Sequence, residues 1–144
     1  MKQITKSVEE TQRIAAEFVR RLTQVGSKAR VIALCGDLGS GKTTFVQGVA
    51  QALGITATIT SPTFVIVKTY QTTSPVFTKL VHMDAYRLQG GKEIETVGFS
   101  KFTSDPENLV LIEWPERMGD MFLSDIERVN FTFIDAATRE IELP

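Results

Sequence analysis

Two hydrophobic rhythms alternate along the chain. Residues 14–22 repeat apolar side chains at the three-and-four spacing of a helix (Ile14, Ala15, Phe18, Val19 and Leu22), preceded by Ser7-Val8-Glu9-Glu10, a capping-box start, with Gly26 as the predicted stop. Val31-Ile32-Ala33-Leu34-Cys35 is instead a continuous apolar run, as in a strand covered on both faces. Helical spacing returns from Thr44 to Leu53 at Phe45, Val46, Val49, Ala50 and Leu53, with Gly54 placed to end it. Phe64–Tyr70 and Val76–Asp84 flank a polar stretch containing Pro75 and predict neighbouring antiparallel strands. Lys92–Val97 predicts a short helix and Asn108–Ile112 a further buried strand. Arg128–Ile134 and Arg139–Leu143 bracket Asp135-Ala136-Ala137-Thr138 as a β-hairpin. The sum is an α/β fold with helices flanking a mixed sheet, parallel in its middle and antiparallel toward its edges.

Length and composition narrow this little further. At 144 residues and 42% hydrophobic, residues 1–144 are expected to form one domain with a substantial core. Sixteen basic and seventeen acidic residues leave a formal net charge of −1, and no basic cluster exceeds Arg20-Arg21, so charge-driven binding to nucleic acid is not expected. A single cysteine, Cys35, excludes an internal disulfide framework and suits a reducing cytoplasm; at the end of a buried run it reads as a packing residue. With no apolar leader and no membrane-length stretch, the expectation is a soluble cytoplasmic protein.

The chemistry sits between the first apolar strand and the second helix. Gly36-Asp37-Leu38-Gly39-Ser40-Gly41-Lys42-Thr43 is a complete G-x-x-x-x-G-K-[ST] loop, a pattern that average residue usage produces in roughly half a percent of chains this long. Its glycines let backbone N–H groups converge on a phosphate tail, and the following helix points its N-terminus at the same place. Lys42 is positioned to meet the β and γ phosphates, while the Thr43 hydroxyl can ligate Mg²⁺. A P-loop of this kind also needs an acid at the end of a strand beside it, and two qualify, Asp84 and Glu113. One would serve the metal and the other the attacking water. Thr63, twenty residues after Thr43, is either a γ-phosphate sensor or a local turn hydroxyl beside Pro62. His82 reads as a hydrogen-bonded structural residue, and Trp114 as either core or a cover over the nucleotide. No Asn-Lys-x-Asp element occurs, which favours ATP over GTP. Arginine is absent between Arg87 and Arg117, where a small-molecule kinase would carry its lid.

Five ordered blocks carry a resemblance: the P-loop through Phe45, Ser61-Pro62-Thr63-Phe64, His82-Met83-Asp84-Ala85-Tyr86-Arg87-Leu88, Val97-Gly98-Phe99 and Ile112-Glu113-Trp114-Pro115-Glu116. In this order they resemble the TsaE family, formerly YjeE, P-loop ATPases of bacterial tRNA threonylcarbamoyladenosine biosynthesis. The resemblance implies an ATP- and Mg²⁺-dependent accessory that acts on the TsaD and TsaB proteins, meeting tRNA only through that complex. It also implies nucleotide contacts from Leu38, Gly39, Ser40, Gly41, Lys42, Thr43 and Thr44, a metal held by Thr43 and Glu113, and hydrolysis led by Asp84 together with Lys42. Glu9 and Arg139 are implied to approach the nucleotide. Ser100-Lys101 departs from the family pattern, which carries an acidic residue after the Gly-Phe pair. The alternatives from other classes are a nucleotide-gated binding module and a small-molecule kinase.

Overall fold

In the computed structural model, which describes residues 1–59, 66–88, 91–121 and 126–144, the apolar run predicted as a buried strand is the central strand of a seven-stranded sheet. The elements in chain order are β1 (Lys2–Thr5), α1 (Val8–Arg20), β2 (Arg30–Cys35), α2 (Lys42–Ala52), β3 (Val67–Gln71), β4 (Lys79–Asp84), α3 (Gly91–Thr96), α4 (Phe99–Thr103), β5 (Asn108–Glu113), a 3-10 helix (Pro115–Met121), β6 (Glu127–Phe133) and β7 (Arg139–Glu142). The strand order is β1-β7-β6-β2-β5-β4-β3. β6, β2, β5 and β4 run parallel, whereas β3, β7 and β1 pair antiparallel at the two edges. The mixed sheet and the C-terminal hairpin are as the spacing predicts.

Alternation of side chains sorts β4 and β5 between two cores. Leu80, Leu109 and Leu111 face α1 and α2, together with Ile32 and Leu34 of β2. Val81, Met83, Val110 and Ile112 face the opposite side, where Ile94 of α3 and Met118 of the 3-10 helix cover them. Phe45 of α2 is fully buried between Phe18 and Phe131, its ring 5.9 and 5.3 Å from theirs, and burying such a side chain stabilises by about 1.5–3 kcal/mol. α1 and α2 cross closely because Gly48 has no side chain there: a Cβ would lie 2.6 Å from the Gln12 carbonyl oxygen.

Several boundaries differ from expectation. Ser7 caps α1 by accepting from the Glu10 N–H at 3.1 Å, but the Glu10 carboxylate reaches back to the Lys6 N–H, at 2.6 Å, one residue beyond the usual box. α1 ends at Arg20 rather than near Gly26, because the Arg21 and Leu22 N–H groups turn back onto the Phe18 and Val19 carbonyls and tighten the last turn. Gly26 occupies a separate turn at φ 63°. β1 and α4 were not legible in the spacing: four and five residues respectively are too short for a period to register. Cys35 is half-buried rather than enclosed, and burial raises its thiol pKa despite the nearby Arg128 guanidinium. The expected strand start at Phe64 and the candidate Thr63 fall outside the described residues.

Candidate nucleotide site

The loop between β2 and α2 is shaped by glycines at its tightest points. A Cβ on Gly36 would lie 2.6 Å from the Phe131 carbonyl oxygen, so this turn can pass under β6 only without a side chain. Gly41, at φ 106°, turns the chain into α2 and offers no side-chain cap, which leaves the first-turn N–H groups of the helix directed at the loop. The Ser40 hydroxyl is buried and has no hydrogen-bond partner among the described residues. A polar cradle of this kind is suited to anionic oxygens.

Lys42 reaches across the loop. Its Nζ donates to the Gly36 carbonyl at 2.5 Å and stands 3.5 Å from the centre of the Trp114 ring. Burial pulls the Lys42 ammonium below its ordinary pKa of 10.5, against the opposing pull of Glu113, Glu116 and Asp84. Trp114 has the only positive φ among the described non-glycine residues, 57°, and this turn at the end of β5 swings its ring over the lysine. Trp114 is half-buried. Behind it stand Tyr86, ring centres 5.1 Å apart, and then Arg117, 4.8 Å from the Tyr86 ring.

The sheet delivers the two acids. β5 lies directly beside β2, with Leu34 opposite Glu113, and β4 lies one strand further out, with Asp84 opposite Glu113. Both carboxylates, with Lys42 and Thr43, line one cleft of about 840 Å³, a size suited to a small-molecule ligand. Asp84 accepts the Tyr86 N–H at 2.9 Å, which fixes the turn after β4. Glu113 is almost fully buried and its Oε2 lies 2.6 Å from His82 Nε2.

The remaining wall joins the two ends of the chain. Lys6, Ser7, Val8 and Thr11 from the start of α1 face Ala136, Ala137 and Arg139 of the hairpin across the P-loop residues Leu38, Gly39, Gly41 and Thr44. Arg139 donates through Nε to the Gly39 carbonyl at 3.0 Å and through Nη1 to the Asp135 and Thr138 carbonyls at 2.6 and 3.1 Å. Its guanidinium is therefore tied to backbone at the loop's edge. Glu9, on the first turn of α1, is not among the lining residues; its neighbours Ser7 and Val8 are. Apart from the resemblance, which pointed to Glu9, the N-terminal wall carried no signal in the sequence, since its members are ordinary helix-start residues brought there by α1 packing on α2.

A glycine loop feeding a helix N-terminus, with a carboxylate ending the adjacent parallel strand, defines a P-loop nucleotide-binding protein. Comparison with known proteins narrows the class. Residues 5–141 match the family profile of the threonylcarbamoyl adenosine biosynthesis protein TsaE. The tRNA threonylcarbamoyladenosine biosynthesis protein TsaE of Bacillus subtilis is 41% identical over 118 residues, 79% of this chain and 68% of that one. The protein of the same name from Streptomyces coelicolor is 39% identical over 101 residues, 69% of this chain and 66% of the relative. These alignments span about two thirds of the relatives' length. A crystal structure of Bacillus subtilis YdiB superimposes with a TM-score of 0.75 at 29% identity, covering 98% of this chain and 82% of that one. The chain belongs to the TsaE family.

Proposed function

We propose that this chain binds ATP with Mg²⁺ in the cleft and hydrolyses it as an accessory to tRNA threonylcarbamoylation, acting on the TsaD–TsaB complex in the cytoplasm. The observation that carries the reading is the convergence of Lys42, Thr43, Asp84 and Glu113 on one cleft at the mouth of the P-loop. Thr43 and Glu113 are the residues suited to hold Mg²⁺, a hard cation that takes one or two protein oxygens and otherwise keeps phosphate and water. Bound there, the ion would neutralise charge on the β and γ phosphates. Lys42 and the α2 N-terminus supply the protein's own positive field, and Asp84, which ends the strand one place out, would orient and deprotonate an attacking water.

Two features support an activity that depends on a protein partner and is slow in the isolated chain. Arg139 spends its guanidinium on backbone carbonyls, and a partner commonly completes such sites with an arginine. The net charge of −1 and the lack of a basic cluster make protein, rather than tRNA, the direct partner. The test is steady-state ATP hydrolysis with and without TsaB and TsaD, beside tRNA binding by the chain alone. Stimulation that Lys42→Ala removes is the expected result. Tight tRNA binding by the isolated chain, or full activity indifferent to the two proteins, would overturn the reading.

One observation favours a second reading, a nucleotide-gated module in which occupancy matters more than hydrolysis. Lys42 must leave the Gly36 carbonyl and the Trp114 face to meet phosphates, so occupancy disturbs the stack that leads through Tyr86 to Arg117. Trp114 is the sole tryptophan, and its fluorescence reports this displacement. If partner binding follows ATP occupancy equally well with Asp84→Asn, the gating reading prevails.

A further inference from the structure

His82 lies two residues before Asp84 on the same face of β4, one step deeper beneath the P-loop side of the sheet. The register sets His82 opposite Leu111 and Asp84 opposite Glu113, so His82 and Glu113 are diagonal neighbours on adjacent parallel strands. The His82 side chain is completely inaccessible to solvent and that of Glu113 is 4% exposed. A carboxylate this deep is costly unless it is hydrogen-bonded, and His82 Nε2, at 2.6 Å from Oε2, is its one hydrogen-bond partner among the described residues.

The carboxylate decides the direction of the bond. His82 Nδ1 is buried and has no partner among the described residues. An ionised carboxylate oxygen can only accept, so the proton between the two groups belongs to Nε2 and the ring is the donor. Oε2 is thereby committed, and Oε1 is the oxygen left to serve the cleft. A lysine or arginine in this place would also hold the carboxylate but would cancel its charge. An imidazole donor fixes its orientation and leaves its attraction for a cation intact.

We infer that His82 is a positioning residue for the Mg²⁺–nucleotide site, acting through the Glu113 carboxylate. The inference rests on Glu113 holding the ion, and outer partners of metal-holding groups commonly contribute 10- to 100-fold in metal affinity. The experiment is calorimetric titration of Mg²⁺ into the full chain with saturating ADP, which reads affinity without turnover. It compares wild type, Glu113→Gln, His82→Phe, His82→Gln and the double variant His82→Phe/Glu113→Gln, each checked for cooperative thermal unfolding.

His82→Phe removes the donor but keeps a ring of similar size, and is expected to weaken Mg²⁺ by about tenfold. His82→Gln can present an amide N–H near the Nε2 position and should recover most of that loss. Added to Glu113→Gln, His82→Phe should cost nothing further, a non-additivity that a merely structural histidine would not show. If His82→Phe does not fold, His82→Gln beside His82→Ala carries the same comparison. Unchanged Mg²⁺ affinity in folded His82→Phe or His82→Ala, or additive losses in the double variant, overturns the positioning role while Glu113→Gln still weakens the ion. An unaffected Glu113→Gln protein instead overturns the metal-holding role of Glu113, and the inference with it.

Discussion

Replacing Gly48 with alanine sets two effects against each other. In an exposed helix interior the change would stabilise by about 0.8–1 kcal/mol, through reduced backbone entropy in the unfolded chain. Here the new methyl group would lie 2.6 and 2.7 Å from the carbonyl oxygen and Cα of Gln12 and 2.8 Å from the Ala15 Cβ. These obstacles are backbone and a first side-chain carbon of α1, with no flexible end to swing aside. Ordinary contact near 3.5 Å requires α1 and α2 to separate by roughly 1 Å at this crossing. Overpacking of that kind costs about 1–3 kcal/mol, so the clash wins and leaves a net loss of about 1 kcal/mol. For a chain of this size the melting temperature should fall by about 3 °C. Because α2 carries Lys42 and Thr43 on its first turn, and α1 supplies the facing wall of the cleft, ATP affinity should fall as well. Scanning calorimetry with and without ATP is the assay. A Gly48→Ala protein that melts higher than wild type and binds ATP unchanged would refute the close crossing.

Lys42→Ala should weaken ATP by about 10- to 150-fold, the equivalent of a charged hydrogen bond worth about 1.5–3 kcal/mol, and calorimetry on the folded variant checks it. Asp84→Asn should bind ATP and turn over poorly, whereas Glu113→Gln should need more Mg²⁺; kinetics across a Mg²⁺ series separates them, and exchanged phenotypes would exchange the roles. Because burial depresses the Lys42 pKa in the free protein, and bound phosphates favour its charged form, ATP binding at alkaline pH should take up a proton. Affinity should therefore decline as pH rises through the depressed pKa; calorimetry in two buffers of different ionisation enthalpy measures the uptake, and Lys42→Ala should abolish it.

What the sequence determined by itself was local and periodic. The capping serine at position 7, the helical spacing of Phe45 to Leu53, the unbroken apolar runs of β2 and β5 and the eight-residue loop each carry their instruction within a few neighbours, which is why both the central sheet and the phosphate cradle were legible. Asp84 and Glu113 were recognisable as strand-end acids for the same reason. Their relative placement was not legible in the residues themselves. Only the strand order, β2-β5-β4, puts Glu113 beside the P-loop strand and Asp84 one place out, and hydrogen bonding between strands distant in sequence decides that order. Trp114 came to lie over Lys42 through a single positive φ, and His82 found Glu113 through strand register across 31 residues of chain. β1 escaped notice because a four-residue edge strand exists only by pairing with β7, at the far end of the chain. The wall formed by Ser7, Val8 and the hairpin likewise depends on α1 closing over α2 at Gly48, a contact set by the absence of a side chain, whose meaning appears only when the second helix is in place.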